Sequence, residues 1–327
     1  MMEKLRVVTF GGGSGHSQVL KGLKTIPGLT ITAICPSTDS GGSTGILRQS
    51  YGAAGYLGDL TKCAAALSAD ELLAAALMHR FDDGPLKNHS VKNLLFLSMV
   101  QRAGLSQALR LLHGVCGLNG HRVLPVVAEQ VELCAVLKNG HRIRGEAEID
   151  KIASNPLWHA EQHAIEDIYL DRPVSALPMV AEAIGQADWC VLTPGDLYTS
   201  VLPVFLPEGM QAAMAETPAR VLVIVNITNK HGETQGYGVT DFIRQIELKI
   251  GLNADVVLCN STRLPDELAQ RYQFEQKTPI FCDASADYRY RTAPLAMVTH
   301  EGYVYHDPVL VARELGEIFS RQTQEVA

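Results

Sequence analysis

Phe10-Gly11-Gly12-Gly13-Ser14-Gly15-His16-Ser17 stands directly after a β-branched run and before a helical pattern containing Val19, Leu20 and Leu23. Glycines let the backbone turn sharply and approach a ligand closely, and the free N–H groups of a helix start attract an anion. Phosphate is the natural partner of such a turn; a tight βα turn with no ligand is the alternative. Two named patterns do not match. The dinucleotide fingerprint wants glycine where His16 stands, and the P-loop wants a Gly-Lys-Ser/Thr that this segment lacks.

A second cluster follows the second strand pattern: Ser37-Thr38-Asp39-Ser40-Gly41-Gly42-Ser43-Thr44-Gly45. If the two strands are neighbours, Asp39 and several hydroxyls face the same crevice as the first loop. An acid there suits ribose hydroxyls, or a Mg²⁺ bridging phosphates, or the ordering of its own turn. Leu57-Gly58-Asp59-Leu60-Thr61-Lys62 places Asp59 at a helix start, where capping and catalysis are equally open. Lys62 reaches phosphate only if that helix start faces the crevice. Thr193-Pro194-Gly195-Asp196-Leu197-Tyr198-Thr199-Ser200 repeats the strand, turn and helix order. Two anion-friendly turns on one sheet edge make a nucleotide site more credible than either alone.

Other chemistry is less well announced. His159 and His163 lie four apart but lack the glutamate placement of a zinc protease helix, so they read as solvated helix histidines. No Gly-x-Ser-x-Gly elbow occurs, and Cys63 and Cys190 carry no local sign of activation. The seven cysteines run from Cys35 to Cys282 without a Cys-x-x-Cys pair, and they read as small core residues in a reducing compartment.

The elements that must position these residues alternate between β-branched runs and helical patterns, the signature of an α/β fold with a mostly parallel sheet. Strands are expected at Leu5–Phe10, Thr30–Cys35, Asp188–Thr193, Arg220–Asn226, Asp255–Asn260 and Pro279–Asp283. Ligands of such sheets sit outside the carboxyl ends of the strands. Between the second and third strands, helical spacing marks Asp59–Ala69, Glu71–Phe81, Val91–Arg102 and Gly104–His113. Alternation over Glu129–Leu137 and His141–Ile149, around Asn139-Gly140, predicts a hairpin. The expectation is one domain: a core of about 1–58 and 186–327, with a helical and hairpin lobe inserted over about 59–185. A last helix from Asp307 to Gln322 closes it.

The 327 residues carry 28 basic and 35 acidic side chains, a formal charge of −7. That balance argues against nucleic acid and against a polybasic membrane anchor as partners. With 46% hydrophobic and 19% charged residues the chain can bury a large core. Apolar stretches such as Leu72–Met78 and Val221–Val225 fall short of the ~20 residues a membrane span needs. No signal-peptide pattern opens the chain, so a cytoplasmic protein is expected, and a symmetric homodimer is the expected assembly.

Taken in order, Val8-Thr-Phe-Gly-Gly-Gly-Ser-Gly, Asp39-Ser-Gly-Gly-Ser-Thr-Gly-Ile-Leu-Arg48, Gly58-Asp59, Asn93-Leu94-Leu95, Pro194-Gly-Asp-Leu-Tyr-Thr-Ser200, and Asn226 with Gly232-Glu-Thr-Gln-Gly-Tyr237 resemble the gluconeogenesis factor family. That family is related to the 2-phospho-L-lactate transferase of deazaflavin coenzyme synthesis, and the likeness covers nearly the whole chain. It implies a Rossmann-like three-layer α/β/α core that binds a nucleotide or nucleotide sugar. Members of the gluconeogenesis factor branch are associated with central carbon metabolism and cell shape, and bind UDP-N-acetylglucosamine with no settled reaction. The transferase branch uses a guanine nucleotide-linked phospholactate and a divalent metal. Carried over, Gly11, Gly12, Gly13, Ser14 and Gly15 would cradle phosphates, while Asp39, Gly41, Gly42 and Ser43 would line the crevice. Gly195, Asp196 and Tyr198 would close its far side with Asn226, and Tyr272 would contact base or sugar. Two departures stand out: Ser40 replaces the family's second acid, removing one metal ligand, and Leu57-Gly-Asp-Leu-Thr-Lys62-Cys63 replaces Pro-Gly-Asp-x-Arg-Asn.

Three functions follow for test. The leading one is a nucleotide-sugar-binding regulatory factor that needs no cofactor and engages a protein partner through a ligand-stabilised conformation. The second is a transferase of a nucleotide-activated phosphate compound, with Asp39 and Asp59 holding Mg²⁺. The third is a nicotinamide-dependent oxidoreductase, against which the missing third glycine counts.

Overall fold

The computed structural model describes residues 4–154, 158–282, 287 and 289–325, with side chains to residue 320. The chain opens with β1 (Leu5–Phe10), α1 (Gly13–Leu23) and β2 (Leu29–Cys35). Then come α2 (Gly42–Tyr51), α3 (Leu57–Leu67), α4 (Glu71–Met78), α5 (Val91–Val115) and β3 (Arg122–Pro125). A small antiparallel sheet is built from β4 (Leu133–Leu137), β5 (Arg142–Arg144) and β6 (Ile165–Leu170), with α6 (Glu146–Asp150) and α7 (Ala160–His163) between the last two. The chain returns through α8 (Pro178–Gly185), β7 (Trp189–Leu192), α9 (Met210–Glu216), β8 (Arg220–Ile224), α10 (Val239–Ile250), β9 (Val256–Asn260) and α11 (Asp266–Phe274). It ends with β10 (Tyr290–Ala293), the hairpin β11 (Ala296–Val298) and β12 (Val304–His306), and α12 (Pro308–Glu325).

The central sheet has seven strands in the order β10-β9-β8-β7-β1-β2-β3, every pair parallel. Counted along the chain, its strands run 7-6-5-4-1-2-3, the doubly wound pattern with an added edge strand. Val7, Val8, Thr9 and Phe10 are all buried, as both faces of a central parallel strand must be. Each fully buried Val, Leu or Phe contributes roughly 1.5–3 kcal/mol, so this layer dominates the core energetics. Helix α1 buries Val19, Leu20 and Leu23. α12 packs on it, and the Phe319 ring lies 5.2 Å from Trp189. Asp307 caps α12, accepting from the Val309 N–H at 2.8 Å, with Pro308 at the first helical position.

Three differences from the sequence expectation have physical reasons. Pro279–Cys282 is not a central strand: Pro279 cannot donate to a ladder and makes one isolated bridge to Thr228, and Phe281 is exposed. Asp283 lies outside the described residues. The strand beside β9 is Tyr290–Ala293, whose partly exposed edge position does not require an apolar run. The stretch 59–185 contributes β3, paired to β2, to the central sheet as well as the small antiparallel sheet. By contrast the two expected helices over Val91–His113 are present, meeting end to end at a kink where Gly104 is non-helical (φ 73°).

Candidate functional site

The order reversal in the sheet falls between β1 and β7, and the loops at the strands' carboxyl ends meet there, where the crevice of a doubly wound sheet is expected. The loop after β1 gives Gly11, Gly12 and the start of α1, and the loop after β2 gives Asp39 and the start of α2. Both helices have glycine as N-cap and no acidic residue in their own first turn. Asp59 takes the Gly13 N–H and Asp39 the Gly41 N–H, and the following N–H groups with the positive end of each helix dipole face an incoming anion. Within the first loop Ser14 is exposed and Gly13 and Gly15 are partly so.

The loop after β7 packs directly on the first. A Cβ on Gly15 would overlap the carbonyl oxygen of Pro194, so only glycine admits this approach. Asn226, just beyond β8, locks that loop from behind. Its Oδ1 accepts from the Gly195 N–H at 3.2 Å and its Nδ2 donates to the Gly195 carbonyl at 2.7 Å. Gly11–Gly15, Asp39, Gly41–Ser43, Gly195, Asp196 and Asn226 are thus brought together by the four loops after β1, β2, β7 and β8. Ser43 is buried with its hydroxyl 3.1 Å from His89 Nδ1. Tyr198 is also buried, with its hydroxyl 2.8 Å from that of Tyr237. Tyr272 is tied elsewhere: its hydroxyl accepts from the Val304 N–H at 3.0 Å, in the β11–β12 hairpin.

Carboxylates concentrate here. Asp59 Oδ1 accepts from the Gly13 N–H at 2.8 Å, so it caps the first loop of α1 and not its own helix. Asp39 accepts from the Gly41 N–H at 2.9 Å and fills the place a side chain on Gly58 would take. Burial, and then the neighbouring Asp59, push its carboxyl up to about 6. Glu146, at the start of α6, accepts from the Ser40 N–H at 3.3 Å, and the Ser40 hydroxyl accepts from Ala147 N at 3.0 Å. Burial and the Asp39 charge push Glu146 up to about 8. Lys92 is the nearby buried cation, donating to Gly58 O, Thr61 Oγ1 and Asn93 Oδ1 at 2.8–3.1 Å. Burial and Lys62 lower it to about 8. Arg48 donates to the Asp39 carbonyl at 2.8 Å and to Glu132 at 2.6 Å, fastening the second loop to the antiparallel sheet.

On the far side Lys230 pairs with Asp150, Asp196 and the fully buried Glu233. Burial works against its charge, but the three carboxylates outweigh it and hold it well above the usual lysine range. Asp150, Asp196 and Glu233 come within 4.8 Å of one another, as metal ligands do, yet the ammonium already neutralises them. Asp39, Asp59 and Glu146 do not close to that spacing as a set, so among the described residues they form no ready-made cation site. A Mg²⁺ here fits only with phosphate oxygens completing its shell.

Glu146, Arg48, Lys92, Lys230 and Glu233 were not legible as site residues, because each reaches the crevice through packing and none has a spacing of its own. Lys92 adjoins the Asn93-Leu94-Leu95 block, and Arg48 and Glu233 lie inside two other quoted blocks, the faint signals that were there. Lys62 lines a groove of about 620 Å³ between α1, α3 and α4 with Lys21 and Lys24. His159 is exposed, and its backbone N–H bonds His163 Nδ1 at 2.9 Å.

The 2-phospho-L-lactate transferase CofD family matches residues 7–298. A Thermotoga maritima protein provisionally designated a gluconeogenesis factor is 36% identical over 282 residues, 86% of each chain. The gluconeogenesis factor of Bacillus subtilis is 33% identical over 288 residues, covering 86% of this chain and 87% of its own. A crystal structure of a UPF0052 family member from Bacillus halodurans superposes with a TM-score of 0.86 at 30% identity, over 95% of this chain and 99% of that one.

Proposed function

The chain belongs to the 2-phospho-L-lactate transferase CofD family, and from that premise we propose that its crevice holds the phosphates of a nucleotide sugar of the UDP-N-acetylglucosamine kind. The protein then acts as a ligand-responsive regulatory factor of central carbon metabolism and cell shape. The observation that carries this reading is the convergence of two glycine-rich helix starts, α1 and α2, with the Pro194-Gly195 loop at the switch point of the sheet; Asp59 and Asp39 hold only the Gly13 and Gly41 N–H groups. Two sets of backbone donors beside a third loop suit a diphosphate better than a single anion. The names of the relatives lend support to the metabolic role.

The regulatory step follows from the Ser40–Glu146 contact. An incoming phosphate competes with the Glu146 carboxylate for the second glycine loop, and its binding loosens α6 from that loop while Arg48 keeps the antiparallel sheet attached. A ligand with such differential affinity shifts the population of the two arrangements. Thermal unfolding with UDP-N-acetylglucosamine, UDP-glucose, GDP, GTP and NADH, each with and without Mg²⁺, tests it. At 100 times its dissociation constant a ligand stabilises by about 2.7 kcal/mol. A rise confined to uridine sugars and indifferent to metal is expected; no rise with them at millimolar concentration refutes the assignment.

A second reading, a transferase of a nucleotide-activated phosphate compound, draws on the raised Asp39 carboxyl beside Asp59. There Asp39 would hold a Mg²⁺ that arrives with the ligand, which would supply Lewis-acid stabilisation of the phosphate, and the glycine-loop amides would stabilise developing charge. Metal-dependent product formation that Asp39→Asn lowers by at least about a hundredfold would establish it. Full activity in that variant would exclude this role.

A further inference from the structure

Beneath the first glycine loop lie three side chains that the crevice chemistry does not use. His16, Cys35 and Cys63 are each fully buried, with exposures of 0%. His16 Nδ1 is 2.8 Å from the Gly11 carbonyl and 3.5 Å from Cys63 Sγ, while its Nε2 is 2.8 Å from Thr9 Oγ1. Cys35 Sγ is 3.5 Å from Cys63 Sγ and donates to it. The imidazole is therefore anchored on both nitrogens; its Nδ1–H donates to the Gly11 carbonyl and is shared at longer range with the Cys63 sulfur, while a second thiol presents its S–H to that same sulfur.

We propose that Cys63 is a thiol-oxidation site, with His16 as its fixed partner and Cys35 as the resolving thiol, and that the two cysteines join as a disulfide beneath the phosphate-binding loop. The electrostatics agree. Burial opposes a thiolate at Cys63, but the Cys35 hydrogen bond and His16 outweigh it and lower its pKa; His16 is raised in turn. By contrast burial alone pushes the Cys116 thiol up to about 11. The oxidant is a hydroperoxide. The Cys63 thiolate attacks one peroxide oxygen, the O–O bond breaks, and hydroxide leaves, giving the sulfenic acid. The Cys35 thiol then attacks the Cys63 sulfur and water leaves, so the cysteines lose two electrons and the peroxide gains them.

The bond would shorten the sulfur separation from 3.5 Å to about 2 Å. Cys35 is the last residue of β2, four positions before Asp39, and Cys63 lies one turn beyond Asp59 on α3. Oxidation would thus draw the supports of the two crevice carboxylates together.

Treating the folded protein with hydrogen peroxide, blocking residual thiols in denaturant and mapping peptides by mass tests this. A Cys35–Cys63 cross-link lighter by about 2 Da and reversed by dithiothreitol is expected. In Cys35→Ser, Cys63 should stop at a sulfenic acid that dimedone traps. Should that variant fail to fold, the wild-type map still decides. Oxidation of Cys282, the partly exposed cysteine, with Cys35 and Cys63 left as thiols would overturn the proposal. So would stoichiometric zinc held by this trio in the purified protein, since the three ligand atoms lie within 4.8 Å of one another.

Discussion

Glu146 and Asp39 make the crevice sensitive to pH. Their folded carboxyl groups are raised to about 8 and about 6, above the 4.5 and 3.8 of the free side chains. Between those limits the folded chain binds more protons than the unfolded one, so stability falls as pH rises through about 4 to 8. Glu146→Gln removes the larger part of this cost. It is expected to raise unfolding stability at pH 8 by on the order of 2 kcal/mol and to leave pH 5 nearly unchanged, read by thermal melts at both values. The same variant removes a negative charge from the second glycine loop, so nucleotide affinity at pH 8 should improve several-fold by calorimetry. Equal affinity would mean that no phosphate competes with Glu146.

Close approach governs the elements. Gly15→Ala would drive a methyl group into the Pro194 carbonyl, a backbone atom that cannot swing aside. A loss of about 1–3 kcal/mol is expected by urea unfolding, together with loss of nucleotide binding. Much of the fold was legible because its buried parallel strands are continuous apolar runs. Leu5–Phe10, Arg220–Ile224 and Val256–Asn260 fall within a residue or two of expectation. Edge elements were not, because a strand with one partner needs little hydrophobicity. Tyr290–Ala293 was passed over for the more apolar Pro279–Cys282, and β3 is only four residues long. The Asn139-Gly140 turn did announce the β4–β5 hairpin, yet nothing near it indicated that β6, more than twenty residues later, would pair with β4.

At the scale of the whole molecule, Lys230 ties Asp150 at the end of α6 to Asp196 and Glu233 in the core. Lys230→Met would strand a fully buried carboxylate. A loss of about 3–5 kcal/mol is expected at pH 8. Burial and Asp196 raise Glu233 to about 7, so the loss should shrink at pH 5, and Lys230→Met with Glu233→Gln should recover part of it. Urea titrations at the two pH values measure this. The glycine loops and Asp39 were readable because tight turns and close backbone approach impose a local spacing. The ion network was not, since Asp150 and Lys230 stand 80 positions apart. Such separation also has a consequence for how the chain is made. The first strand is interior to the sheet, and the partner on one of its sides, joined by the Thr193 to Phe10 hydrogen bond, comes 183 residues later. At roughly 5–20 residues per second a ribosome takes on the order of ten to forty seconds to supply it. Throughout that interval Val7, Val8 and their backbone groups form an open edge, so a nascent chain halted near residue 150 should be a ready client for chaperones and proteases.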